Sequence, residues 1–204
     1  IGWIVASIAV GQWLLLNHTP VGTDEVVKAA QDAGRADAFR LSAILGVVMG
    51  IYCFFLPRTP PAKSKESVAT FKAIGEFTRN PLLMLFILAI PVSCIHQFYF
   101  VNTAPFLASY QAQAEGFVTF VNRIVGVGGG GLMTVGQMSE IVVLALIPFF
   151  ARRLSRKSLL AIGLFAYAAR MAIFAYADSI AAATGLSPVA ILIPGIAMHG
   201  LCFG

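Results

Sequence analysis

Gln137 and Glu140 place an amide and a carboxylate one helical turn apart inside the run M-T-V-G-Q-M-S-E, residues 133–140. At i and i+3 the two lie on one helix face. The amide offers donors and an acceptor, and an ionised carboxylate only acceptors. Together they can recognise a polar solute by hydrogen bonds, and a protonatable Glu140 can couple that solute's movement to protons. The surroundings make the carboxylate expensive, because Ile141 to Phe150 is apolar and the next charge is Arg152. Insertion scales put an acidic side chain at the centre of a membrane helix at roughly +2.5 to +3.5 kcal/mol, so such a residue is expected to face a polar cavity.

Other polar groups stand in comparable positions. His96, Gln97, Tyr99 and Asn102 fall between Pro91 and Pro105, and four polar side chains there predict a wet functional face. The competing reading is a set of hydrogen bonds that only hold helices together. Arg170 lies inside a later apolar run, and His199 and Phe203 inside the last one. Neither a nucleophile with its base nor a metal set such as H-E-x-x-H occurs, so no catalytic residue, metal site or cofactor is expected and the protein is not read as an enzyme. Cys53, Cys94 and Cys202 lie in apolar runs without C-x-x-C spacing and read as small core residues. The run Val127 to Gly131 has no Lys-Ser/Thr after it, which argues against a phosphate loop and for flexible or close-packed backbone.

The elements that must position these residues follow from composition. The chain is 58% hydrophobic and 11% charged over 204 residues, with mean hydropathy +0.84, whereas a soluble domain is about 25% charged. An all-α integral membrane protein is therefore expected. The net charge of +5 does not indicate nucleic acid, since the basic residues are concentrated in two short loops rather than along one stripe. The chain opens on Ile1 within one apolar run and stops at Gly204 within another, which reads as a piece of a longer protein with about six spans.

In order, the expected spans are Ile1 to Leu16, Ala38 to Leu56, Pro81 to about Tyr110 with bends at Pro91 and Pro105, Gly130 to Phe150, Leu159 to Tyr176, and a last one from Pro188 containing Pro194 and His199. Val21 to Asp37 is expected as a mixed-charge loop with a short surface helix, His18 as a solvated boundary residue, and Phe117 to Val125 as a short apolar approach to the fourth span. A Pro/Ser/Lys-rich linker begins at Pro57. From Ser67 to Asn80, Val68, Phe71, Ile74 and Phe77 recur at helical spacing among charges, which predicts an amphipathic surface helix.

Alternating sides puts Arg58, Lys63, Lys65, Lys72, Arg79, Arg152, Arg153, Arg156 and Lys157 on one face, the cytoplasmic one by the positive-inside rule. At ~1.5 Å per residue, Glu140 then lies roughly 15 Å and Arg170 roughly 18 Å from the cytoplasmic ends of their spans. Sharing a level, they are expected to form an ion pair or a water-bridged contact.

The run T-V-G-Q-M-S-E, then I-P-F-F, the basic loop R-R-L-S-R-K and A-R-M-A-I-F-A-Y-A-D resemble the nucleoside:proton symporters of the major facilitator superfamily. The resemblance extends from Ile1-Gly2-Trp3 to His199-Gly200-Leu201-Cys202-Phe203. It implies a major-facilitator-type helix bundle of twelve helices, of which this chain would be the fifth to the tenth. Residues 1–56 would then end the N-terminal half, 57–80 would be the cytoplasmic linker, and 81–204 would begin the C-terminal half. It further implies a multi-pass protein of the cell (inner) membrane, monomeric in the bilayer, that imports nucleosides with the proton as coupling ion. A carrier of another polar solute, such as a sugar or drug, is the alternative. Substrate-binding positions carried over are Gln97, Gln137, Glu140, Trp3, Phe203 and His199, and the proton-coupling candidates are Glu140 and Arg170. Two positions depart from the pattern: Phe100 stands where relatives can have Asn, and Gly204 where they can carry Asp. A nucleoside offers hydroxyls and base edges, which amides and carboxylates can bond and aromatics can stack.

Overall fold

A computed structural model describes residues 1–59, 75, 76, 79–112 and 116–203. The described chain is helical: α1 Gly2–Asn17, α2 Asp24–Cys53, α3 Leu82–Gln111, α4 Gly116–Val125, α5 Gly130–Ala151, α6 Arg156–Ala175, α7 Ala177–Thr184, α8 Pro188–Ala197 and α9 His199–Phe203. Most of the amphipathic helix expected over Ser67 to Asn80, with Val68, Phe71, Ile74 and Phe77, and the departure at Gly204 lie outside the described residues.

Four helices, α2, α3, α5 and α6, are long and apolar enough to cross a membrane, while α1, α4 and the α8–α9 segment are shorter apolar helices. Among the described residues, fewer helices therefore reach spanning length than the about six spans expected. The first has 16 residues, and the last is divided at Met198 into α8 and α9.

Several boundaries correct the sequence reading. The charged segment expected as a loop is the N-terminal part of α2, which continues without interruption to Cys53. Asp24 and Glu25 occupy its first turn, where acids complement the helix dipole. Asp32 pairs with Lys28 at 3.1 Å and with Arg35, at i–4 and i+3, so the charges support the helix locally. The third expected span agrees with α3, which runs through Pro91 and Pro105. The turn after α6 is helix α7, closed by Gly185 in the left-handed conformation at φ 70°. Cys53 and Cys94 are exposed and Cys202 half-buried, so the first two are not core residues. His18 is partly covered, against Gly34 and the Trp13 ring 5.5 Å away.

Two compact units make up the chain. One comprises Arg40–Asn102; its described helical parts display apolar side chains such as Val47, Val48, Leu85 and Phe86 to the outside, as suits segments whose surroundings are lipid or further helices. The other comprises Ile1–Phe39 and Thr103–Gly204. In it α1 packs along α5 and α4, α8 packs on α5, α6 and α7, and α9 packs against α5 and α6. Its buried residues include Leu14, Leu107, Leu132, Leu192 and Ile196, together with Arg170, Thr134, Gln111 and Asn122.

The glycine-rich run joins α4 to α5 by close packing. Gly126 and Gly129 have φ of 78° and 81°, a region costly for residues with a Cβ. A Cβ on Gly126 would stand 2.0 Å from the Gly11 carbonyl carbon, and one on Gly129 1.9 Å from the Ala104 oxygen. Gly11 O accepts from Val127 N at 3.1 Å. The close-packed alternative of the sequence reading is the one realised.

Candidate functional site

His199 begins α9 immediately after the break at Met198. Pro194 within α8 has no backbone N–H to donate, and Met198 N donates to Pro194 O at 3.0 Å. The break leaves Ala197 O and Gly200 N without continuous helix around them, and Ser139 on α5 takes both. Its hydroxyl lies 2.6 Å from Ala197 O and accepts from Gly200 N at 3.1 Å, with Gly136 O at 2.7 Å as a second acceptor for its proton. Gly200 is what permits this approach, because a Cβ there would stand 2.6 Å from the Ser139 backbone. The serine of Q-M-S-E thus clamps α9 to α5 and presents the His199 ring to the helix that carries Gln137 and Glu140.

The ring is 3% exposed and bonded on both nitrogens. Nδ1 is 3.2 Å from Arg170 Nη1 on α6. Nε2 is 3.1 Å from Gln137 Nε2 and 3.6 Å from Glu140 Oε2. Phe203, one turn on, stacks on the imidazole at 4.2 Å between centroids. Arg170 is fully buried, its guanidinium over the Tyr167 ring at 4.7 Å. Such a cation over an aromatic face in a dry site gains on the order of 2 kcal/mol. The Glu140 side chain is 25% exposed and Gln137 is partly exposed, so the cluster is dry at Arg170 and open at the α5 face.

The contact expected between Glu140 and Arg170 is therefore routed through His199, which stands between the carboxylate and the guanidinium. Sequence reasoning missed Ser139 and Tyr167 as well. Their local signals were available, Ser139 beside Glu140 and Tyr167 three residues before Arg170, but neither spacing names its long-range partner.

Among the remaining expected site residues, Trp3 stands exposed on α1. Gln97 is exposed on α3 within the other compact unit, where His96 and Phe100 have ring centroids 4.6 Å apart. The structure thus brings together Gln137, Glu140, Arg170, His199 and Phe203. Among the described residues no group of three or more His, Cys, Asp or Glu side chains could hold a metal ion.

A helical bundle with membrane-length apolar helices and a cation–imidazole–carboxylate cluster buried at its cation end defines a multi-pass membrane protein. The family model described as nucleoside H+ symporter matches residues 1–204, and the chain belongs to that family. It is 28% identical over its whole length to YegT of Escherichia coli K12, of which it covers 42%. Over 65% of its length it is 27% identical to the xanthosine permease of the same organism, covering 32% of that protein. Over 77% it is 24% identical to the nucleoside permease NupG, covering 38%. The chain thus spans less than half the length of these relatives. No solved structure matches it.

Proposed function

We propose that the protein is a secondary active transporter that imports nucleosides by proton symport across the cytoplasmic (inner) membrane, and that it does so as a monomer. The observation carrying this reading is the buried chain Arg170–His199 ending on Gln137 and Glu140 at a partly open face, in a member of the nucleoside H+ symporter family. Gln137 and Glu140 bond the uncharged solute, Phe203 and Trp3 stack on it, and no cofactor beyond the coupling proton is required. The basic residues Arg152, Arg153, Arg156 and Lys157 face the cytoplasm, together with the loop following Leu56. That loop joins the two halves of the transporter, with residues 1–56 before it and 81–204 after it.

The test is uptake of labelled uridine and adenosine by the full-length protein in membrane vesicles, with and without an imposed proton gradient. Accumulation above equilibrium that an uncoupler abolishes is expected. Accumulation of a sugar or a cationic drug in place of either nucleoside would overturn the substrate, and gradient-independent uptake would overturn the coupling.

A further inference from the structure

The hydrogen bonds around His199 admit one arrangement of protons. A guanidinium has donors and no acceptor, so the Nδ1 atom 3.2 Å from Arg170 Nη1 must present its lone pair. That excludes both the Nδ1–H tautomer and the imidazolium while the contact holds. The ring is then neutral with its proton on Nε2, and Nε2 must donate. Facing it are the Gln137 amide at 3.1 Å and the Glu140 carboxylate at 3.6 Å. Two N–H donors cannot bond each other, so the Gln137 amide is satisfied when rotated by half a turn, with Oε1 toward His199 and NH2 toward the open side.

We propose that His199 is the proton-binding residue of this site and that Arg170 and the proton compete for the same atom, Nδ1. The proposal rests on the transport reading above and deepens it. A proton taken up by the ring occupies the Nδ1 lone pair, and the guanidinium N–H 3.2 Å away loses that acceptor and faces a like charge. Protonation of α9 and release of α6 are consequently one event. The imidazolium keeps its Nε2–H on Gln137 and Glu140, so its charge is held by the carboxylate while Arg170 moves away. Among the described residues, the titratable groups placed against the ring are Glu140 from α5 and Arg170 from α6, with Tyr167 of α6 and Cys202 of α9 beside the guanidinium; α8 carries none. Glu140 and Arg170 act in opposite directions on the imidazolium, and the exchange of one for the other is the switch.

Two substitutions separate this role from a structural one. His199→Gln preserves the polarity of the chain, since its carbonyl accepts from Arg170 and its NH2 donates to Gln137, but it binds no proton in the physiological range. Arg170→Gln leaves a partner that donates or accepts, so Nδ1 is free to take a proton. The first measurement needs no substrate: 15N spectra of histidine-labelled full-length protein in lipid, with the His199 signals identified by their loss in His199→Gln. A neutral ring with pyridine-like Nδ1 and pyrrole-like Nε2 is expected. Arg170→Gln is expected to release Nδ1 from the guanidinium, so that its pyridine-like signal is lost on acidification under conditions where the wild type retains it. A protonated Nδ1 in the wild type at neutral pH, or a ring that titrates identically in Arg170→Gln, overturns the proposal. The second measurement is the pH profile of nucleoside uptake, normalised to each variant's own maximum. His199→Gln is expected to flatten it, and an unchanged profile overturns the coupling role. If the wild type transports no nucleoside while the spectra come out as expected, the transport reading fails and the proton competition stands.

Discussion

The compact unit that contains the site holds two buried polar clusters built in opposite ways. In the first, Gln111 Nε2 donates to Asn122 Oδ1 at 3.0 Å and to Gly126 O at 2.9 Å. Its Oε1 accepts from Gly129 N at 2.8 Å, and Asn122 Nδ2 donates to Gln111 O at 2.9 Å. Two neutral amides thus latch the ends of the glycine-rich turn, and neither of them titrates. In the second, the partners are ionisable side chains from three helices, and the chain ends on a quarter-exposed carboxylate. A closed cluster rigidifies, because every group already has its partner and moving one leaves others unpaired in a low dielectric. The open cluster has bonding capacity left at its exposed end, which is what a solute or a proton needs. Burial of polar groups alone therefore does not mark a functional site here. The discriminating features are charge and an unfilled side.

Substitutions can break or sharpen that contrast. The largest effect is expected from Gly126→Ala, which adds a Cβ 2.0 Å from Gly11 at φ 78°; strain and clash together cost about 4 kcal/mol. Little folded protein should survive size-exclusion chromatography in detergent. Gln111→Leu removes three hydrogen bonds of the latch and leaves buried partners unpaired, at about 3 kcal/mol. Its thermal melting should fall equally at all pH values while the folded fraction still binds nucleoside. A shifted pH profile of uptake in this variant would erase the distinction between the clusters.

Glu140→Gln inverts the pattern. Melting should change by less than about 1 kcal/mol, the usual range away from a core. Gradient-driven accumulation should fall about tenfold, equivalent to ~1.4 kcal/mol, while substrate exchange survives. Loss of exchange as well would make Glu140 a binding contact, and wild-type uptake with unchanged pH dependence would leave it structural. The smallest effect belongs to Tyr110→Phe, which removes the phenol's bond to Asp178 Oδ2 at 3.0 Å. Being exposed, that bond contributes no more than about 1 kcal/mol, and uptake should remain at the wild-type level.

Glu140, Gln137 and Arg170 were legible in the sequence because a polar or charged group in a long apolar run is costly whatever its neighbours are. The spacing of 137 and 140 puts them on one face through helix geometry alone, and the apolar runs made the all-helical membrane class equally plain. Helix limits were read less well. The i–4 and i+3 pairs of Asp32 carry α2 through a stretch whose polarity suggested a loop, and Gly185 closes a helix α7 that its length disguised. Nothing in the sequence marked Gln111 and Asn122 as partners, since side-chain amides of a latch and of a surface have the same composition.

By itself, then, the sequence determined what is local: which segments prefer lipid, which residues pay to be there, and which share a helix face. Only the tertiary structure decided that His199, 59 residues beyond Glu140 in the numbering and 29 beyond Arg170, stands between them. That placement depends on the break at Met198, the Ser139 clamp and the missing Cβ of Gly200 acting together. No single one of them has a periodicity or spacing that points to the others. A hydrogen bond with a range of about 3 Å reports its partner only after the helices have packed.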